Sequence, residues 1–181
     1  STLFRAVAKA VTPAVVEIRI ERNVTSNLPE GFPEMPFGFP FGRNPIPFRP
    51  APRTQKAVGL GSGVIIDAEN GYILTNNHVV GNADKVSVVL ANDREVKAEW
   101  VRTDPRSDLA VVKIAAENLI SAPLGDSSQM EVGDWVMAIG SPQGLSQTVT
   151  VGIVSAKGRH SLAGLATYQD FIQTDAAINR G

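Results

Sequence analysis

Cysteine is absent from all 181 residues. That excludes disulfides, thiolate nucleophiles and cysteine-ligated zinc in one step. Histidine is scarce, with two in the chain, and two imidazoles without cysteine argue against a zinc site. No excess of either charge exists: 17 basic residues face 18 acidic ones, for a net charge of −1. This argues against a nucleic-acid surface and against a polybasic membrane anchor. No apolar run approaches the ~18 residues that a membrane-spanning helix needs. The residues after Ser1 also lack the basic and apolar regions of a signal peptide.

What is present suits a folded body. An apolar fraction of 43% supports a sizeable core, and the length fits one ordinary domain or most of a two-lobed one. Leu3, Phe4, Val7, Ala8 and Val11 are spaced to form one face of a short helix over residues 2–12, with Ser1 able to cap it and Pro13 ending it. Beyond it, Val16, Ile18 and Ile20 alternate with polar residues, which predicts a strand.

Residues 23–55 differ in kind. Eight of the twelve prolines and five of the seven phenylalanines lie between Pro29 and Pro52. Proline at that density prevents both helix and sheet pairing. Two readings stay open: a disordered insert, or an adhesive loop that uses Phe32, Phe37, Phe39, Phe41 and Phe48 to dock on another subunit or occlude a cleft.

From Ala57 onward the pattern predicts short strands near 57–66, 72–76, 85–90, 94–103 and 109–114, then near 134–140, 148–157 and 168–174. Turn residues such as Asn70-Gly71, Asn92-Asp93 and Gly133-Asp134 separate them, as in all-β sandwiches and barrels. Residues 115–131 lack strand character. The expected organisation is an N-terminal helix and first barrel over 1–114 carrying the insert, a linker over 115–131, and the first part of a second barrel over 132–181.

His78 follows the apolar stretch Tyr72-Ile-Leu-Thr75 and sits at its exit, in Asn76-Asn77-His78. A histidine there can be structural or merely exposed; it can also be a general base, because neutral imidazole accepts a proton near physiological pH. Asp108 precedes Leu109-Ala-Val-Val-Lys-Ile114, a run that would draw its carboxylate inward. It reads either as a strand-start residue or as a carboxylate paired with a histidine N–H, since an unpaired buried carboxylate is costly. In a catalytic triad such an acid fixes the tautomer and orientation of the imidazole.

Other features carry less. Gly59-Leu-Gly61-Ser-Gly63 has the third glycine out of place for a dinucleotide loop and continues as strand. His160 lies in a polar loop. Ser62, Ser141 and Ser146 are nucleophiles by type, but none has a nucleophile-turn context.

Gly61-Ser-Gly-Val-Ile-Ile66, Gly71-Tyr-Ile-Leu-Thr-Asn-Asn-His78-Val-Val80, Asp108-Leu-Ala-Val-Val-Lys113, Gly133-Asp-Trp-Val-Met-Ala-Ile-Gly140, Thr148-Val-Thr-Val-Gly-Ile-Val-Ser155 and Phe171-Ile-Gln-Thr-Asp-Ala-Ala-Ile-Asn179 occur in one order. Together they resemble the protease domain of the HtrA (Deg) serine endopeptidases. The resemblance implies a trypsin-like pair of six-stranded β-barrels, the second incomplete within these residues. It implies His78 as general base, Asp108 as orienting acid and the N–H of Gly181 as an oxyanion-hole donor. The serine nucleophile is expected two positions after Gly181, so these 181 residues alone are expected to be inactive. Residues around His160 correspond to a regulatory loop.

The implied activity is endopeptidase degradation of unfolded or damaged envelope proteins through an acyl-enzyme, with possible chaperone activity. No cofactor or metal is implied. The implied assembly is a trimer or a multiple of trimers, held partly by the segment around Phe4, and the implied location is the bacterial periplasm. Two rival readings are a non-catalytic chaperone or binding module on a protease scaffold, and a purely structural β-barrel.

Overall fold

A computed structural model describes residues 2–26, 53–141, 148–159 and 170–178. The chain starts with helix α1 (Thr2–Val11), which a 3-10 turn at Thr12–Ala14 ends, with Pro13 near its start. No residue of α1 is buried. The expected apolar face meets the body through the Phe4 ring, 5.4 Å from that of Trp135, while Leu3 and Val7 remain exposed. The proposed Ser1 cap lies outside the described residues.

Six strands then close into an antiparallel barrel: β1 (Val15–Ser26), β2 (Arg53–Asp67), β3 (Tyr72–Asn76), β4 (Lys85–Val89), β5 (Glu95–Asp104) and β6 (Leu109–Ile114). Their order around the barrel is β1-β2-β3-β6-β5-β4, and β1 pairs with β4 to close it. Closure removes the free edges that an open sheet would present. Val16, Ile18, Ile65, Ile73, Val88, Val112 and Ile114 are essentially inaccessible and fill the interior. On β6 the two-residue period is plain, with Ala110, Val112 and Ile114 buried between more accessible neighbours.

The ladder between β1 and β2 is longer than the alternation in the sequence suggests. It runs from Val15 opposite Val64 to Ser26 opposite Arg53. Both ends of the expected 23–55 insert are therefore strand, because backbone pairing between the two arms does not require an alternating apolar face. Residues 27–52, with the phenylalanine cluster, lie outside the described residues.

Gly71 makes the β2–β3 turn possible. Its φ of +64° is left-handed, and an added Cβ would collide with the Ile114 carbonyl oxygen. Its own carbonyl accepts from Ile114 N–H at 3.0 Å, which fastens the start of β3 to the end of β6.

After β6 the chain crosses without regular structure, tied to β2 where Ala122 N–H donates to Ile65 O at 2.9 Å. A 3-10 turn at Ser127–Gln129 leads to a second, three-stranded antiparallel sheet: β7 (Trp135–Gly140), β8 (Thr148–Arg159) and β9 (Phe171–Thr174). Lys157 Nζ on β8 donates to the carbonyl oxygens of Met130 and Ser128, at 2.5 and 3.3 Å, and ties the crossing segment to that sheet. The architecture is thus mostly β: a short N-terminal helix, one closed six-stranded barrel and a three-stranded partial sheet. The expected strands are in place over the described residues, the last beginning at Phe171, while residues 168 and 169 of its expected span lie outside them.

Ile73 is fully buried on the strand that carries the site. Ile73→Ala should destabilise the barrel by about 2–5 kcal/mol. Chemical denaturation followed by far-UV circular dichroism measures this directly, and a loss below 1 kcal/mol would mean that the barrel interior repacks freely.

Candidate active site

His78 and Asp108 are thirty positions apart in sequence and meet because β3 and β6 are paired neighbours. The register sets Asn76 opposite Leu109, so the residues just past the end of β3 face those just before the start of β6. The chain leaves β3 into α2 (Asn77–Val80), a single turn that carries His78 and buries Val80 against the barrel core.

Asp108 arrives from the other side on a tight turn. Asp104 ends β5, and its carboxylate accepts from the Arg106 N–H at 3.0 Å and from the Ser107 hydroxyl at 2.8 Å. Pro105 suits the turn because its φ is already fixed. The Ser107 hydroxyl, then the Arg106 N–H, hold the Asp104 carboxyl below its ordinary value.

The turn leaves Asp108 at φ +56°, a left-handed conformation that aspartate tolerates better than most residues. The structure offsets this with hydrogen bonds. Asn77 N–H donates to the Asp108 carbonyl at 3.0 Å, and the Asn76 amide donates to the same oxygen at 3.1 Å. His78 N–H donates to Asp108 Oδ1 at 2.9 Å. The imidazole Nδ1 lies 2.7 Å from Oδ2. A carboxylate oxygen only accepts hydrogen bonds, so a neutral ring in this contact donates from Nδ1 and leaves the Nε2 lone pair free. The His78 side chain is 70% exposed and that of Asp108 21%. The inward pull expected of Asp108 is met by partial burial with donors in place.

The second sheet contributes the approach to the third position. After β9, Asp175 accepts from Ile153 N–H of β8 through Oδ1 at 2.7 Å, and the Thr150 hydroxyl donates to Ala177 O at 2.8 Å. Gly152 lies between these two anchors, buried, and a Cβ there would coincide with the Ala176 nitrogen and the Asp175 carboxylate. Residues 175–177 can lie flat across β8 only because Gly152 has no side chain. Gly181 lies outside the described residues, as do His160 and Ser146.

Ser62 and Ser141 have structural positions. Ser141 is buried, its N–H donates to Ser62 Oγ at 3.0 Å, and Ser62 O accepts from the Thr75 hydroxyl at 2.8 Å. This chain of contacts links the second sheet to β3. Sequence reasoning placed His78 and Asp108 but missed the Asp104 cap and the Asp175 anchor. Asp104-Pro105-Arg106-Ser107 carried a readable signal for the first, an aspartate and proline that open a turn; Asp175 carried none, because its partner is twenty-two residues away. Among the described residues no group of three or more His, Cys, Asp or Glu is placed to hold a metal.

A closed β-barrel with a histidine just past the exit of one strand and an aspartate just before the entrance of its neighbour fits a trypsin-like scaffold. A family profile described as trypsin-like peptidase domain matches residues 61–181, and the chain belongs to that family, in its HtrA/DegP branch. It is 54% identical over 128 residues to the periplasmic serine endoprotease DegP of Escherichia coli K12, covering 70% of this chain and 27% of that protein. It is equally identical, over 124 residues, to a probable periplasmic serine protease do/HhoA-like of Haemophilus influenzae, covering 68% of this chain and 27% of that one. Among solved structures, the HtrA-type protease AlgW with decapeptide aligns at a TM-score of 0.74 and 42% identity over 97% of this chain and 52% of its own. The chain thus spans about a quarter of the length of these curated relatives, 27% in each case.

The Asp104 turn has a pH signature. A carboxyl held low in the fold stabilises it fully above the unfolded value of about 4, and the contribution is lost as pH falls through the lower folded value. Asp67, held low first by the Asn70 side chain, and Asp126, held low first by Ser128, act in the same direction. The thermal midpoint should therefore fall on acidification below about pH 4. Asp104→Asn should remove part of that slope; an unchanged slope would show that the turn forms without the carboxylate.

Proposed function

We propose that this chain is the greater part of the protease domain of a serine endopeptidase that degrades unfolded or damaged proteins of the bacterial envelope. The observation that carries the reading is the 2.7 Å contact between His78 Nδ1 and Asp108 Oδ2 beside an exposed ring. Similarity to proteins named as periplasmic serine endoproteases supports the reaction class and the location.

In this mechanism Nε2 of His78 removes the proton from a serine Oγ expected two positions after Gly181. That oxygen attacks the peptide carbonyl. Asp108 keeps Nδ1 protonated and stabilises the imidazolium that forms. The negative oxygen of the tetrahedral intermediate lies against the N–H groups of Gly181 and of the serine. One such donor contributes about 10²–10³ in rate. The imidazolium then protonates the leaving amine, and water hydrolyses the acyl-enzyme by the same route in reverse.

Residues 1–114 supply the base and the acid, 115–131 cross between lobes, and 132–181 begin the lobe that presents Gly181. The working assembly is a trimer or a multiple of trimers. Exposed Leu3 and Val7 beside the Phe4–Trp135 contact would be covered there.

In the protein that carries this chain, a fluorophosphonate probe should label one serine, and Asp108→Asn should lower kcat on a denatured protein substrate by on the order of 10⁴. Absence of labelling with His78 intact would move the reading to a non-catalytic chaperone on a protease scaffold. The phenylalanine-rich insert is expected to reach a neighbouring subunit, so deletion of residues 28–50 should change oligomer size or basal hydrolysis, measured by light scattering and peptide release. If neither changes, the insert has no such role.

A further inference from the structure

Asn76 is an unfavourable choice for the last residue of a strand, since asparagine is depleted in sheets and this side chain is exposed and fills no core space. Its amide nevertheless has two definite neighbours. Nδ2 lies 3.1 Å from the Asp108 carbonyl oxygen and 3.4 Å from Asp108 Oδ2. Both are acceptors, so the NH₂ end of the amide is the end that fits there, with two hydrogens available for the two oxygens.

We propose that Asn76 is a positioning residue that holds the Asp108 carboxylate against imidazole Nδ1 and so fixes His78 as the Nδ1–H tautomer. The proposal rests on the reading of His78 and Asp108 as base and orienting acid. The carboxylate has two oxygens with unequal support. Oδ1 is fastened to the backbone by His78 N–H. Oδ2, the atom that faces the imidazole, meets Nδ1 and the Asn76 amide, with no backbone donor among the described residues. The Asp χ2 torsion is broad, so one fastened oxygen does not fix the plane of the group. The second amide hydrogen acts on the backbone. Together with Asn77 N–H it places two donors on the Asp108 carbonyl, in a residue held at positive φ. One side chain thus restrains both the main chain and the carboxylate of the orienting acid, from the strand end that also leads to the base.

The test reads the tautomer and needs no turnover. In the protein that carries this chain, with histidine ¹⁵N-labelled, the His78 signal is assigned by its loss in His78→Gln and recorded at a pH where the ring is neutral. The native chain should show a protonated Nδ1 and an unprotonated Nε2. Asn76→Ala should lose that pattern and give the exchange-averaged mixture of a free imidazole. Asn76→Asp, of nearly the same size but without the NH₂, should lose it equally, which separates the missing donor from a missing volume and provides a second readout if the alanine variant folds poorly. The native Nδ1–H pattern in either folded variant would overturn the proposal. In the protein with its serine, Asn76→Ala should lower kcat by about tenfold to a hundredfold at unchanged KM, because a misplaced catalytic group costs rate and not binding. A protein that hydrolyses nothing, with the tautomer lost as expected in the variants, would sink the protease reading and leave the positioning role standing.

Discussion

The register of β3 on β6 is the constraint on which the site depends. With Tyr72 opposite Lys113 and Asn76 opposite Leu109, the exit of one strand and the entrance of the next come to one point. A slip of one residue would turn outward the buried set of one strand, either Ile73 on β3 or Val112 and Ile114 on β6. The cost of exposing those core residues is what holds His78 within 2.7 Å of Asp108. The hydrogen bond is short-range, but its geometry is set by hydrophobic burial some 10 Å away along the strand, three residues at about 3.3 Å each. Closure of the barrel reinforces the register, because β3 and β6 each have a second partner that must also stay in step.

Asp108 shows how the fold accommodates an unfavourable backbone conformation next to the chemistry. Left-handed non-glycine residues cost on the order of 1–3 kcal/mol when surroundings force them. Here the left-handed turn brings both the carbonyl and the carboxylate of Asp108 towards the 76–78 segment, where main-chain and side-chain donors are waiting. A right-handed or extended Asp108 would give up this set of contacts. The Asp104 carboxylate acts one step earlier, closing the turn through Arg106 and Ser107 before Asp108 is reached.

How much of this was legible in the sequence follows from how local each signal is. The strands were legible because burial writes a two-residue period into segments such as Leu109–Ile114, and glycine or asparagine marks the turns between them. His78 and Asp108 were legible as a pair only through the motifs around them, since nothing in the twenty-nine intervening residues states their separation in space. The true reach of the β1–β2 ladder was not legible. Its outer rungs, such as Asn23 opposite Lys56, are backbone pairs with no apolar alternation to announce them. Nor was the part played by Gly152: it reads as an ordinary weak residue in a strand, and the segment that crosses it is twenty-three residues downstream.

Base and acid are both carried by the closed barrel, whereas the proposed mechanism takes its nucleophile and oxyanion donors from the other sheet. Their alignment therefore rests on the contacts between the two bodies. Among the described residues they include the Ser141 N–H on Ser62 Oγ, the Phe4 ring on Trp135, and the crossing segment held to β2 at Ala122 and to β8 by Lys157. Ser62 is the most telling of them, because its carbonyl also holds Thr75 on β3, three residues from His78. Ser62 thus bonds to both sides of the junction. Catalysis is acutely sensitive to shifts of about 1 Å. In that reading a site divided between the barrel and the second sheet depends on this junction as much as on the contact between His78 and Asp108.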